Sequence, residues 1–182
     1  MMELVIFLLG TLLFVLLSHQ ALLHPRSHGF PRFFAFEAIL CLVILNASSW
    51  FILPYSFPQI ISWTLLLVSA FLVIFSVRVL RQFGRPEKTI PDASRLAFEK
   101  TTHLVTAGPY RFIRHPMYTS LLCLAMGVFL KHITLLSGLL VTVAILALFT
   151  TAILEERENL CNFGEEYDAY MQRTRRFIPF IF

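Results

Sequence analysis

Apolar positions along this chain fall in long unbroken runs, not in strict alternation or a narrow helical stripe. A helix that crosses a bilayer needs about 20 mostly apolar residues. Three runs meet that length: Leu4 to Leu23, Phe33 to Leu53 and Ile60 to Leu80. A fourth, Met117 to Leu154, is long enough for two helices of about 28 Å each at a rise of about 1.5 Å per residue. Lys131, His132 and Thr134 lie near its middle and mark a tight turn. The pattern predicts an all-α integral membrane protein with five transmembrane helices, the last two forming a helical hairpin. The first run begins with Glu3 in place of a basic region, and its apolar core is too long for a cleaved signal peptide, so it reads as a span.

Polar positions concentrate in two places. Residues 84–114 form the longest polar stretch, where Pro86 and Pro91 argue against one continuous helix. After Leu154 the chain reads "EERENLCNFGEEYDAYMQRTRRFIPFIF". There Leu160, Phe163, Tyr167, Tyr170 and Met171 recur at spacings of three and four, which predicts a C-terminal amphipathic helix. Its acidic residues come early and its arginines late, as the helix dipole favours, and Gly164 weakens it slightly. The whole chain, 1–182, reads as a single domain, with three spans in 1–83 and two spans plus the C-terminal helix in 84–182.

Composition agrees with the runs. Hydrophobic residues make up 57% and charged residues 14%, against roughly half and a quarter in soluble domains. Five spans would put fourteen of the 15 lysines and arginines on one side, in loops 24–32 and 78–114 and in the C-terminus, with Lys131 on the other. The positive-inside rule makes the basic side cytoplasmic and the N-terminus external. Anionic lipid headgroups account for the net charge of +4, so no nucleic-acid partner is expected. Cys41, Cys123 and Cys161 fit no disulfide framework or zinc spacing and read as free thiols in apolar surroundings. His19, His24 and His28 have metal-like spacing, but Pro25 and Gly29 interrupt it, and no metal site is expected. Glu37 stands inside the second span. An intramembrane acid is a functional candidate by default, here for substrate, although its place near the cytoplasmic end also offers it water or Arg32.

The stretch "GPYRFIRHPMYTS", Gly108 to Ser120, gathers arginines, a histidine and tyrosines at the doorstep of the fourth span. Pro116 suits a helix's first turn, which places His115 at the N-cap. A tight turn after that span returns Glu155 and Glu156 to the same face as Arg114, His115 and Tyr118. Two readings stay open for this rim cluster. It is a structural ion-pair group with snorkelling side chains, or it is a site for a polar cofactor sealed by the C-terminal helix.

"HLVTAGPYRFIRHPMY", then "EE", then "FGEEYDAYMQRTRRFIP" resembles the isoprenylcysteine carboxyl methyltransferase family, which includes phospholipid methyltransferase-like members. The likeness runs from about Leu104 to Pro179, and the first three spans share only their apolar character. It implies an integral-membrane enzyme that uses S-adenosylmethionine, with a cytoplasmic cofactor site and a lipophilic small-molecule or lipid acceptor. Carried over by position, it implies cofactor binding by Leu104, Val105, Gly108, Tyr110, Arg114, His115, Pro116, Tyr118, Glu155 and Glu156. Physically, orphan N–H groups at a helix start suit the cofactor's carboxylate, and Arg114 adds a charge-assisted bond. Glu155 takes the ammonium or ribose hydroxyls, Leu104 and Val105 bracket the adenine, and tyrosine faces attract the sulfonium. One position departs. Family members acting on a prenylcysteine carboxylate carry an arginine four residues before the glutamate, and this chain has Thr151 there. That points away from a carboxylate acceptor and makes Thr151 a weak substrate candidate.

The alternatives are an isoprenylcysteine carboxyl O-methyltransferase, a membrane lipid reductase using a nicotinamide cofactor, and a non-catalytic scaffold. The reductase usually has more spans and more basic residues for the extra phosphate. A scaffold has no need of a polar cluster at the rim.

Overall fold

The computed structural model describes residues 1–84 and 103–179. Among them the chain is helical, with six α-helices: α1 (Met2–Leu22), α2 (Gly29–Leu45), α3 (Phe57–Phe83), α4 (Pro116–Phe129), α5 (Leu135–Phe163) and α6 (Glu165–Arg173). Short 3-10 turns occupy Ala47–Ser49 and Gly108–Arg111. The described residues contain no strand, and a single parallel bridge pairs Ile113 with Arg175. Part of the stretch between α3 and the Gly108 turn, including Pro86 and Pro91, lies outside the described residues.

Three helices, α1, α3 and α5, are long and apolar enough to cross a membrane, with mean hydropathies of 2.1, 2.5 and 2.3. The other two apolar helices are shorter, α2 at 17 residues and α4 at 14. The second apolar run ends sooner than its hydropathy suggests. Helix α2 stops at Leu45 because Asn46 turns its side chain away and donates from Nδ2 to Val128 O at 2.9 Å. Trp50, Phe51 and Ile52 are apolar but lie in the non-helical link to α3. Helix α3 runs three residues beyond its predicted end at each side, starting with Pro58 in its first turn.

Packing is typical of helices in lipid, where small residues set close approach and large ones face outward. Helix α3 buries Ser62, Ser69 and Ser76, spaced by sevens, and exposes Leu67, Phe71 and Ile74. A Cβ added at Gly127 of α4 would lie 3.2 Å from Ser62 O, so the α3–α4 contact is close to backbone on backbone. Ser62 Oγ in turn donates to Gly127 O at 2.6 Å. Helix α2 packs chiefly on α5, and the core around Ala38, Leu42, Ala125, Val128, Val141 and Ala144 lies between α2, α4 and α5. Helix α1 leans chiefly on α2, through Gly10 against Leu40 and a Thr11 Oγ1 hydrogen bond to Glu37 Oε2 at 2.9 Å.

The turn at residues 130–134 is built for its task. Thr134 and Ser137 cap the start of α5 reciprocally. Lys131 is buried, donates to Gln59 Oε1 at 3.0 Å and sits 3.6 Å over the Trp63 ring.

The predicted amphipathic helix is two pieces. Leu160 and Phe163 belong to the end of α5, and Tyr167, Tyr170 and Met171 belong to α6. The break is Gly164, with φ 54 and ψ −129. A backbone that L side chains rarely adopt costs glycine little.

Candidate functional site

The site begins with the turn before α4. Gly108 takes φ 58, and a Cβ there would come within 2.9 Å of Val79 Cγ2, so only glycine lets this turn press against α3. The turn buries Tyr110 and Val105 against Val79 and Leu80. Tyr170 Oη of α6 then donates to Tyr110 O at 2.6 Å, which ties the C-terminal segment onto the turn.

His115 is the N-cap residue of α4 and Pro116 its first helical residue, as the sequence predicts. The backbone around His115 is fixed by the returning chain end. Arg114 N–H donates to Arg175 O at 2.7 Å, His115 N–H to Arg176 O at 3.1 Å, and Arg175 N–H to Phe112 O at 3.1 Å. The His115 ring stacks on Tyr118, centroids 5.3 Å apart and planes within 15°, with Phe177 on another side at 6.0 Å.

The two glutamates part company. Glu156 is 3% exposed and sits at the centre of a converging set of donors. Arg114 Nε donates to its Oε1 at 2.7 Å, and Arg176 Nη2 to its Oε2 at 2.6 Å. His115 Nε2 lies 3.2 Å from the same Oε1. Arg114 spends Nη1 as well, on the carbonyls of Thr174 at 2.6 Å and Met171 at 3.2 Å. The Arg176 charge is held by its hydrogen bonds to Glu156, which raise its pKa above the usual arginine value. Glu155 instead lines a cavity, with Oε2 3.6 Å from His115 Nδ1.

That cavity encloses about 80 Å³, or about 650 Å³ when the space at its open mouth is counted. Eight of the ten residues that the resemblance assigns to cofactor line it: Leu104, Val105, Tyr110, Arg114, His115, Pro116, Tyr118 and Glu155. Gly108 acts behind it by letting the turn close, and Glu156 is turned away to its arginines. Leu80, Met117, Asn159, Phe163, Tyr167 and Tyr170 complete the lining. Asn159 stands one helical turn beyond Glu155, on the same face of α5, and is hydrogen-bonded to Tyr167. Burial pushes the Tyr167 and Tyr170 phenols well above their ordinary pKa, so both stay protonated and act as ring faces and hydroxyls.

The sequence places Tyr167 and Tyr170 on an amphipathic stripe and marks Arg176 only as one more basic residue. Heptad-like spacing cannot distinguish a stripe that faces a cavity from one that faces lipid. Nothing local announces that Arg176 folds back onto Glu156.

Thr151 is fully buried, and its Oγ1 donates to Ala147 O of its own helix at 2.8 Å, so it presents no free group to a substrate. Glu37 accepts from Thr11 and does not line the cavity. His28 is engaged by Glu158, whose Oε1 accepts from the His28 backbone N–H at 3.0 Å, and His24 Nδ1 lies 2.9 Å from Gln20 O. Among the described residues no group of three or more His, Cys, Asp or Glu side chains is arranged to hold a metal. Cys161 is exposed on the polar end of α5, unlike the half-buried Cys41 and Cys123.

The fold and the rim cavity agree with the family evidence. The phospholipid methyltransferase family matches residues 57–164, more than half of the chain, and the chain belongs to this family of membrane methyltransferases. Two curated relatives, from Oryza sativa subsp. indica and subsp. japonica, are each named "Probable protein-S-isoprenylcysteine O-methyltransferase". Each is 34% identical over 88 residues, which covers 48% of this chain and 46% of the relative. The match thus spans about half the length of those relatives, and it supports the resemblance to the isoprenylcysteine carboxyl methyltransferases. No solved structure matches the chain.

Proposed function

We propose that the chain is an integral-membrane methyltransferase that moves a methyl group from S-adenosylmethionine to a lipophilic acceptor. The observation that carries this reading is the convergence of Leu104, Val105, Tyr110, His115, Tyr118 and Glu155 on one cavity, at the membrane end of a polar segment. Its donor set fits the cofactor group by group. Glu155 and Asn159 suit an ammonium and ribose hydroxyls. The faces of Tyr110, Tyr118 and Tyr170 suit a sulfonium. Leu80, Leu104, Val105 and Met117 suit adenine. Arg114 is largely committed to Glu156 and to backbone carbonyls, so the N–H groups opening α4 are left as the main partners for the cofactor carboxylate. Those residues bind, orient and exclude water, while the bound cofactor supplies the electrophilic methyl group. The reaction then needs a nucleophile in line, within about 3–3.5 Å of that methyl carbon. A thiolate or carboxylate needs no base, whereas an ammonium must lose a proton first.

In this reading residues 1–182 form one methyltransferase domain with five spans. The N-terminus is external, and the cofactor site and C-terminus are cytoplasmic. Helix α2 is flanked by α1 and α5, and α4 by α3 and α5, so both short helices cross inside a bundle where little of them meets lipid. The last two spans form the hairpin that returns Glu155 to the level of His115.

The acceptor we favour is a neutral or cationic lipophilic molecule. A carboxylate leaving water is expensive to bury unpaired, and Thr151 supplies no cation. A prenylcysteine carboxylate is the second reading, favoured by the names of the rice relatives. Calorimetry should show S-adenosylmethionine and its demethylated product binding to the purified chain, with weaker binding to His115→Ala. Tight binding of a nicotinamide nucleotide and none of the sulfonium cofactor overturns the assignment. With labelled cofactor, lipid amines and hydrophobic thiols should accept methyl faster than a prenylcysteine analogue. The reverse order establishes the second reading.

A further inference from the structure

On the outer side of the same turn, three exposed arginines, Arg111, Arg173 and Arg175, line one cleft of about 210 Å³ together with Phe112 and Gln172. Among the described residues no carboxylate lines this cleft. Among the described residues the ion pairs gather on Glu155, Glu156 and Glu158, and none reaches these three arginines. The nearby acids are used or set aside. Asp168 accepts from Gln172 Nε2 at 3.1 Å, and Glu166 lines an adjoining cleft with Arg111 and Arg173. The guanidiniums make few internal bonds. Arg173 Nε donates to Ala169 O at 3.1 Å, and Arg111 lies 5.9 Å over the Phe112 ring.

The cleft is also held in shape. Arg175 N–H donates to Phe112 O at 3.1 Å, and Arg175 O accepts from Arg114 at 2.7 Å, so the two sides are joined by backbone pairing. Beside the charges stand two large apolar side chains, Phe112 and Ile178, 48% and 50% exposed. A soluble anion has no use for them. At a membrane surface, apolar side chains enter the acyl boundary while cations meet phosphate. Guanidiniums grip phosphate through paired N–H donors, which a lysine cluster would not do.

We propose that this arginine cleft seats the phosphate of an anionic phospholipid, anchoring the Phe112–His115 segment and the returning chain end to the membrane surface. The proposal does not rest on the methyl-transfer reading. The test uses the full-length chain in neutral detergent, titrated with phosphatidylglycerol or phosphatidylcholine, with bound lipid counted by native mass spectrometry. Phosphatidylglycerol should bind saturably and phosphatidylcholine should not compete. Arg111→Gln/Arg175→Gln should weaken binding about 25-fold, at about fivefold per juxtamembrane cation. The charge-matched control Arg26→Gln/Arg157→Gln, both exposed and outside the cleft, should change it little. Arg111→Lys/Arg175→Lys keeps the charge and loses the fork. It should fall between wild type and the glutamine pair, which holds the test open if the glutamine pair folds poorly. Equal losses in cleft and control variants would reduce the effect to diffuse surface charge and overturn the proposal. Displacement of the lipid by millimolar inorganic phosphate would overturn it too, by making the cleft a site for the free ion.

Discussion

Replacing Glu156 by Gln removes one charge and almost no volume, so it isolates the role of the carboxylate. Glu156 is 3% exposed and accepts from Arg114 at 2.7 Å and from Arg176 at 2.6 Å. A hydrogen bond to a charged group contributes about 1.5–3 kcal/mol, and breaking a buried ion pair by removing one partner costs about 3–5 kcal/mol. Arg176 is 24% exposed at its side chain, so water screens part of its share. The glutamine keeps one acceptor oxygen for one of the arginines. The expected loss is about 3 kcal/mol. At about 2–4 °C per kcal/mol for a chain of this size, the melting point in detergent should fall by roughly 6–12 °C. Cofactor binding should fall with it, since Arg114, His115 and the Arg176 segment lose their common anchor. Glu155→Gln is the counterpart. Glu155 lies 3.6 Å from His115 and lines the cavity. It should lose cofactor affinity, about tenfold to a hundredfold for a bond to a charged group, with a smaller fall in melting point than Glu156→Gln. Unchanged melting in Glu156→Gln, or an equal drop in Glu155→Gln, refutes the division of labour between the two acids.

Gly164→Ala should lower stability by about 1–3 kcal/mol through backbone strain alone, because the residue has φ 54 and a Cβ there would meet no atom within 4 Å; thermal melting reads it. Tyr170→Phe should cost about 1–3 kcal/mol by leaving Tyr110 O unsatisfied, and in the same melting series it should loosen the turn that carries Val105 and Tyr110. Thr151→Arg should destabilise sharply, seen as poor folding in detergent, because a guanidinium would enter a fully buried position.

The apolar runs foretold the helices well where hydropathy and backbone agree, as at α1 and α3. They failed where a polar side chain serves a distant carbonyl. Asn46 ends α2 for the sake of Val128 O, a partner 82 residues away, and no window of hydropathy contains that information. Gly164 was visible as a weak point but not as a break, since a glycine's sequence does not reveal the sign of its φ. At the rim, the sequence placed His115 at the N-cap and Pro116 behind it, because those preferences are local. It could not separate Glu155 from Glu156. Neighbours on a helix point about 100° apart, and which one meets the cavity depends on where Arg176 lands.

That landing is the step by which the fold makes a site out of a cluster. Arg114, His115, Glu155 and Glu156 on their own would pair among themselves and leave nothing for a ligand. The chain end runs back along residues 112–115 and delivers Arg176 to Glu156. Glu156 then balances two arginines, Arg114 is drawn toward it and toward Thr174 O, and the His115 ring is clamped between Glu156 and Tyr118. Glu155 lies on the cavity wall, with Asn159 one turn further along. A cationic amino group or sugar hydroxyls suit such a wall better than a phosphate-rich cofactor does. The same chain end that closes the ion cluster therefore also fixes the backbone of His115, the residue beside which Glu155 stands on the cavity wall.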